Sequence, residues 1–255
     1  MVFYFTGSGS SRSVAEHIGE ALNEDVVSIG EALREEHFDY SVKPGETIGF
    51  VCPTYFWGLP TAVLDFLTRL TIRGAHGVYT YAVLTCGAMT GMAGDMLAEM
   101  LRRKGHTLSA QYGIKCVDNY VPAFKVGTPE QIAKRMASAE AETNTVIAQI
   151  RSRAEGDLNP HHSGLTVSLA FAPYELYRKG RKTAKFSVDV SRCVGCGLCE
   201  NICPCRAIIL QDGAPHWEKP QCTLCLGCLH RCPEGAITYG KSAKNGRFVN
   251  PTVKW

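Results

Sequence analysis

Cys193-Val194-Gly195-Cys196-Gly197-Leu198-Cys199-Glu200-Asn201-Ile202-Cys203-Pro204 and, 29 residues further on, Cys222-Thr223-Leu224-Cys225-Leu226-Gly227-Cys228-Leu229-His230-Arg231-Cys232-Pro233 both spell C-x2-C-x2-C-x3-C-P. The same offset relates Ala207-Ile208 to Ala236-Ile237, so the repeat extends beyond the cysteines and is an internal duplication. Three thiolates spaced two residues apart can wrap a tight loop around three corners of an iron-sulfur cubane. The fourth lies a turn further on and points elsewhere, and the proline after it ends any helix and removes a backbone donor. The run therefore reads as two [4Fe-4S] clusters. A zinc ribbon is the rival, but it needs two C-x2-C pairs separated by a longer stretch and has no use for a third cysteine. Residues 187–255 hold few large apolar side chains and would bury too little surface to be stable alone, so the clusters act as the core of this part. Cys205 fits no slot of the repeat and reads as a small buried residue.

The 255 residues are 45% hydrophobic and 20% charged, which is ordinary globular composition with room for one full core and a smaller second unit. Twelve cysteines and no secretory leader point to reduced, metal-binding thiols, since a disulfide framework belongs to oxidising compartments. A cytoplasmic location follows as an expectation. Residues 1–150 carry 12 basic against 16 acidic side chains, residues 151–186 carry 7 against 3, and residues 187–255 carry 8 against 5. Anionic clusters offset the last excess, so nucleic-acid binding gains no support. The most apolar stretch, residues 165–173, is far shorter than the roughly 20 residues that span a bilayer, and no membrane partner is expected.

Residues 1–150 alternate short apolar runs with helical patterns, which reads as α/β with a parallel sheet. Strands are expected at residues 2–5, 26–29, 47–52, 79–85 and 108–115. Helices are expected at 11–22, 61–69 and 92–104, and a last one carries the stripe Ile132, Met136, Ala139, Thr143, Val146, Ile147 and Ile150. The first strand runs into Thr6-Gly7-Ser8-Gly9-Ser10-Ser11 and then a helix. Glycines allow close backbone approach, while hydroxyls and free helix N-terminal amides suit a phosphate. The loop lacks the Gly-Lys-Ser/Thr ending of a nucleotide-binding P-loop, and Arg12 breaks the dinucleotide G-x-G-x-x-G spacing.

This hydroxyl-rich loop resembles the phosphate loop of flavodoxins, which hold the FMN phosphate without a lysine. The order of a short-chain flavodoxin over residues 1–150 and a two-cluster ferredoxin over residues 186–255 is similar to that of the flavodoxin-ferredoxin fusion family. The resemblance rests on residues 3–11, on Pro53-Thr54-Tyr55-Phe56-Trp57-Gly58-Leu59-Pro60 and on the doubled cysteine run; Ser10 stands where flavodoxin loops often carry Asn. It implies a flavodoxin-like five-stranded sheet in the order 2-1-3-4-5, followed by a small α+β ferredoxin-like domain. FMN would lie at the carboxyl edge of the sheet, on Thr6, Gly7, Ser8, Gly9, Ser10 and Ser11. It would also contact Thr54, Tyr55, Phe56, Trp57 and Gly58, whose aromatics would find a stacking partner in the flavin ring, then Thr85, Cys86, Gly87 and Ala88. Asn119 and Tyr120 lie at the same edge. In two-cluster ferredoxins the fourth cysteine serves the other cluster. The implied sets are Cys193, Cys196, Cys199 and Cys232 for one cluster, and Cys222, Cys225, Cys228 and Cys203 for the other.

Residues 151–185 read as a connecting segment in which Leu165, Val167, Leu169, Phe171, Tyr174, Leu176 and Tyr177 pack a short helix between the domains. Its basic residues, 178–185, read as a solvated face or as a dock for an acidic redox protein. His161-His162 reads as exposed loop, because no cysteine or carboxylate pair stands nearby in sequence. Cys52, Cys86 and Cys116 end strands and read as buried thiols, with Cys86 alone near the flavin. The expected function is an electron relay between two [4Fe-4S] clusters and FMN, with redox proteins as partners. The rivals are an FMN-dependent reductase of a small organic substrate and a redox-sensing module without turnover. No catalytic acid or base is evident.

Overall fold

The computed structural model describes residues 1–255. In its first part strands alternate with helices: β1 (Val2–Tyr4), α1 (Ser10–Leu22), β2 (Val26–Ser28), α2 (Ile29–Glu35), β3 (Asp39–Ser41), β4 (Ile48–Pro53), α3 (Thr61–Arg69), β5 (Thr71–Arg73), β6 (Thr80–Cys86), α4 (Ala93–Arg102), β7 (Ala110–Lys115), α5 (Pro129–Arg151) and β8 (Gly156–Asp157). One parallel sheet runs β2-β1-β4-β6-β7-β8. The five expected strands keep the order 2-1-3-4-5, but the sheet has six strands. The sixth, β8, pairs with β7 through Ala110 and Gln111 and carries the sheet past the expected boundary at residue 150. A separate parallel pair, β3 with β5, was also not anticipated. Both additions are two or three residues long, and apart from buried Ile72 at the centre of β5 their residues are exposed or half-exposed, so neither leaves an apolar pattern to read.

Helices cover both faces, which is why β4 and β6 are buried almost throughout and read as continuous apolar runs. Alternate residues of β1 and its extension serve opposite cores. Phe3 and Phe5 join one with Phe50, Phe66 and Leu84, and Val2 and Tyr4 join the other with Ile18, Tyr81 and Tyr112. Phe3 stacks on Phe50 with centroids 5.3 Å apart, and burying one such ring contributes about 1.5–3 kcal/mol. Helix α5 starts at a capping box formed by Thr128 and Gln131 with Pro129 at its first position. Of its expected stripe only Thr143, Val146, Ile147 and Ile150 are buried, since the first half runs beyond the sheet.

The second part contains α6 (Gly164–Gly180), β9 (Phe186–Val188), α7 (Leu198–Asn201), β10 (Ile208–Gln211), β11 (Ala214–Trp217), α8 (Gly227–His230) and β12 (Ile237–Tyr239). The strands form two antiparallel pairs, β9 with β12 and β10 with β11, and a one-turn helix follows the middle of each cysteine run. Phe186 stacks on Trp217 at 4.8 Å and meets Tyr239 edge-on at 4.7 Å, which makes a small aromatic floor beneath the cysteine loops.

Helix α6 differs from the short packed helix expected. It has 17 residues, and only Ala170, Tyr174 and Tyr177 are buried. Leu165, Leu169, Phe171 and Leu176 face outward, 57–71% exposed. The buried tyrosines join the two parts: Tyr174 donates to the Leu59 carbonyl at 2.6 Å, and Tyr177 donates to the Thr223 carbonyl at 2.9 Å while accepting from the Thr61 amide. His161-His162 is half-buried and not exposed loop. The His161 imidazole meets Glu142 at 3.3 Å, and His162 lies between Asp157 and Asp95. No helix is long and apolar enough to cross a membrane.

Candidate cofactor sites

The carboxyl edge of the sheet borders a cavity of about 460 Å³. Its walls include Thr6, Gly7, Ser8, Ser10 and Ser11 from the first loop, and Thr54 to Trp57 from the loop after β4. Thr85 and Cys86 at the end of β6, Gly87 and Ala88 after it, and Asn119 and Tyr120 after β7 are further cavity residues expected from sequence. Gly9 and Gly58 stand outside it. Gly9 precedes α1 at φ +105° beneath Asn250 and Trp255, and Gly58 lies under the Tyr174 ring, where a β-carbon would come within 2.4 Å. Both glycines are required by packing and not by the cavity. Cys116 lines the cavity as well as Cys86, so Cys86 is not alone there.

The first loop is held by its own polar groups. The Gly9 amide donates to Thr6 Oγ1 at 2.9 Å, Ser11 and Thr85 share a hydroxyl bond at 2.8 Å, and Asn119 Nδ2 donates to Ser8 Oγ. Helix α1 has no side-chain cap and no acidic residue in its first turn, so its N-terminal amides remain available to an anion. Thr54 Oγ1 is buried without a hydrogen-bond partner in the same cavity. An orphaned buried hydroxyl is costly and fits a polar ligand atom placed against it.

The aromatic loop is arranged differently from the expectation. Phe56 stacks on Tyr177 at 5.5 Å and meets Tyr120 edge-on at 5.1 Å, so these rings partner one another. Trp57 lines the cavity without a ring partner and lies at φ +65°, directly after Phe56 at φ +51°. Two consecutive large residues in the left-handed region are strained, as loops around a ligand often are.

The eight cysteines of the repeat divide between two smaller cavities. One is lined by Cys193, Cys196, Cys199 and Cys232, and the other by Cys203, Cys222, Cys225 and Cys228 with Cys205 beside them. Each cavity thus takes three thiols from one run and the fourth from the other. No three His, Cys, Asp or Glu side chains converge at the spacing of a single ion, which for a tetrahedral zinc means sulfurs within about 4 Å of one another. Backbone amides point at three of the sulfurs: Ala207 at Cys203, Leu224 at Cys222 and Ala236 at Cys232, each at 3.4 Å. Burial pushes the Cys222 thiol up to about 12 and those of Cys225 and Cys228 well above their ordinary value. Such thiols ionise only when a metal supplies the compensating charge. Cys205 is more than a buried spacer, for its sulfur accepts from the Thr223 amide at 3.3 Å at the edge of the second cavity.

The two sites meet. Leu224, Cys225 and Leu226 line the large cavity, and a β-carbon on Gly7 would lie 2.0 Å from the Cys225 carbonyl oxygen. The C-terminal tail closes over the first loop: the Asn250 amide donates to the Ser8 carbonyl at 2.8 Å, and Trp255 lies between Arg12 and Arg231. Neutral His230, held near a value of about 4 mainly by burial, bridges the Asn119 carbonyl and the Phe248 amide. The sequence reading missed Leu224, Leu226 and Tyr177 as cavity residues, because each is brought there by contact between distant segments, and it missed Asp118, which sits beside Asn119 in the loop after β7.

Residues 192–237 match the family model described as a 4Fe-4S dicluster domain. The C-terminal part of the chain is thus a ferredoxin-type 4Fe-4S domain. Over 61 residues the chain is 33% identical to an uncharacterized protein of Methanocaldococcus jannaschii, covering 24% of this chain and 23% of that protein. Over 47 residues it is 38% identical to a component of the Na(+)-translocating ferredoxin:NAD(+) oxidoreductase complex of Acetobacterium woodii, covering 18% and 14%. The matches span less than a quarter of those relatives' length. Among solved structures, the Trp repressor binding protein from Bacillus subtilis aligns at TM-score 0.35 and 10% identity, over 56% of this chain and 96% of that one. Rubredoxin oxygen:oxidoreductase of Desulfovibrio gigas aligns at 0.33 and 15%, over 58% and 36%. At these scores the architecture of the N-terminal part rests on its own sheet order.

Proposed function

We propose that the chain relays electrons between two [4Fe-4S] clusters and an FMN, with residues 186–255 holding the clusters and the cavity at the sheet edge holding the flavin. The observation that carries this reading is the shared wall, since Cys225 lines both the large cavity and the cavity of the second thiol set. When bound, the clusters supply single-electron steps, and FMN exchanges one or two electrons.

The residues divide the work. Cys193, Cys196, Cys199 and Cys232 hold the outer cluster, and exposed Cys196 places it toward a redox partner. Cys203, Cys222, Cys225 and Cys228 hold the inner one beside the flavin cavity. Thr6, Ser8, Ser10 and Ser11, with the α1 amides, bind the phosphate, while Thr54 offers its hydroxyl to the flavin and Trp57 a ring face. The test is iron and flavin analysis of anaerobically prepared protein, with about eight irons and one FMN per chain expected. Bound zinc and no flavin would overturn both assignments.

A second reading, reduction of a small organic substrate at the same flavin, is favoured by Asp118, the one carboxylate lining the cavity. Its signature is substrate-dependent reoxidation of the reduced protein without any partner protein, lost in Asp118→Asn.

A further inference from the structure

Leu224 and Leu226 lie at φ +52° and +56°. For a side chain with a β-carbon this left-handed backbone is unfavourable. The 29-residue repeat places Gly195 and Gly197 at the corresponding points of the first run, at φ +65° and +75°, where glycine adopts the turn without strain. The second loop therefore makes the same turn with two leucines, and something other than the turn keeps them there.

Their surroundings supply the reason. Leu224 and Leu226 are 6% and 3% exposed, and both line the flavin cavity. Leu226 and its neighbour Cys225 are the two residues that line both this cavity and the cavity of the second thiol set. The Leu226 carbonyl accepts from the Leu229 and His230 amides at 3.0 and 2.9 Å, which fixes its backbone at the start of α8. The first run has no flavin cavity beside it, and there glycines suffice.

We propose that Leu226, supported by Leu224, is a positioning residue that partitions the inner cluster from the flavin cavity, leaving the Cys225 side as the electron path and keeping water off the cluster. This rests on the relay reading above. Removing the leucine side chain would open a channel roomy enough for water between the two cavities. A reduced cluster carries more negative charge than an oxidised one, and water stabilises that charge. Solvent entry therefore raises the reduction potential of the inner cluster and leaves the outer one alone.

The test uses the full-length chain and three variants. Leu226→Gly relieves the backbone and removes the wall. Leu226→Asn tolerates the left-handed region but is polar, and Leu226→Met restores an apolar side chain. Redox titration followed by electron paramagnetic resonance should show the potential of one cluster raised in Leu226→Gly and Leu226→Asn and returned toward wild type in Leu226→Met. A chelator should remove half of the iron at least tenfold faster from the first two. A purely structural leucine would leave potentials and chelation rates unchanged in all variants that load their clusters, and that result overturns the partition. Should Leu226→Gly fail to load, Leu226→Asn decides against Leu226→Met. A wild-type chain that binds no flavin overturns the relay and the partition together, whereas a normal wild type with unshifted variants overturns the partition alone.

Discussion

Replacing Gly7 with Ala puts a methyl carbon 2.0 Å from the Cys225 carbonyl oxygen and 3.0 Å from its carbonyl carbon. Carbon and carbonyl oxygen normally approach to about 3.3 Å, so the two loops must part by about 1.3 Å. The backbone at residue 7 lies outside the left-handed region, and alanine is locally acceptable there. The whole effect therefore comes from the contact between the first loop and the cysteine loop. Overpacking of this kind costs about 1–3 kcal/mol, which corresponds to a roughly 5- to 150-fold weaker FMN affinity if the loop that holds the phosphate is the one displaced. Titration of flavin-free protein with FMN, followed by quenching of flavin fluorescence, measures the loss. The resonance spectrum of the inner cluster should change in the same variant, because Cys225 is the other side of the contact. Gly180→Ala is the control, since nothing lies within 4 Å of a β-carbon there. Gly7→Ala with wild-type FMN affinity and unchanged cluster spectra would refute the shared wall, and with it the physical case for a relay.

Three further outcomes follow from the same geometry. Cys203→Ala should lose the cluster that Cys222, Cys225 and Cys228 hold and weaken FMN binding, whereas Cys232→Ala should lose the other cluster and leave FMN binding intact; iron analysis with flavin titration reads both, and the opposite pattern would show that each run keeps its own fourth ligand. Thr54→Val removes the orphaned hydroxyl, so flavin-free stability should hold or rise while FMN binds about fivefold more weakly, by about 1 kcal/mol; equal affinity would mean that the hydroxyl does not meet the ligand. Tyr177→Phe takes the hydroxyl from the Thr223 carbonyl and the Thr61 amide at a cost of about 1–3 kcal/mol, and the thermal midpoint should fall by about 2–4 °C for each kcal/mol; an unshifted midpoint would mean that this joint contributes nothing to stability.

The cysteine repeat was legible because the geometry of its loops is local: three positions per loop are set by spacing alone, and a 29-residue copy made the reading specific. The parallel strands were legible because sheets covered on both faces need unbroken apolar runs such as β4 and β6. Strand β8 was not, since Gly156–Asp157 pairs through backbone amides and carbonyls with no side-chain signature. The outward leucines of α6 were misread for a related reason: an apolar run shows that burial is favourable but not that a neighbour is present.

By itself, the sequence determined the duplicated eight-cysteine site, the positions of the five main strands and the position of the hydroxyl-rich loop before the first helix. Each follows from spacing or periodicity within a few tens of residues. Tertiary structure alone decided that Cys225 and Leu226 stand between the cavities and that Gly7 must be glycine because a carbonyl from the far end of the chain presses on it. These are contacts between surfaces far apart in the chain, where close packing and not local spacing sets which atoms meet.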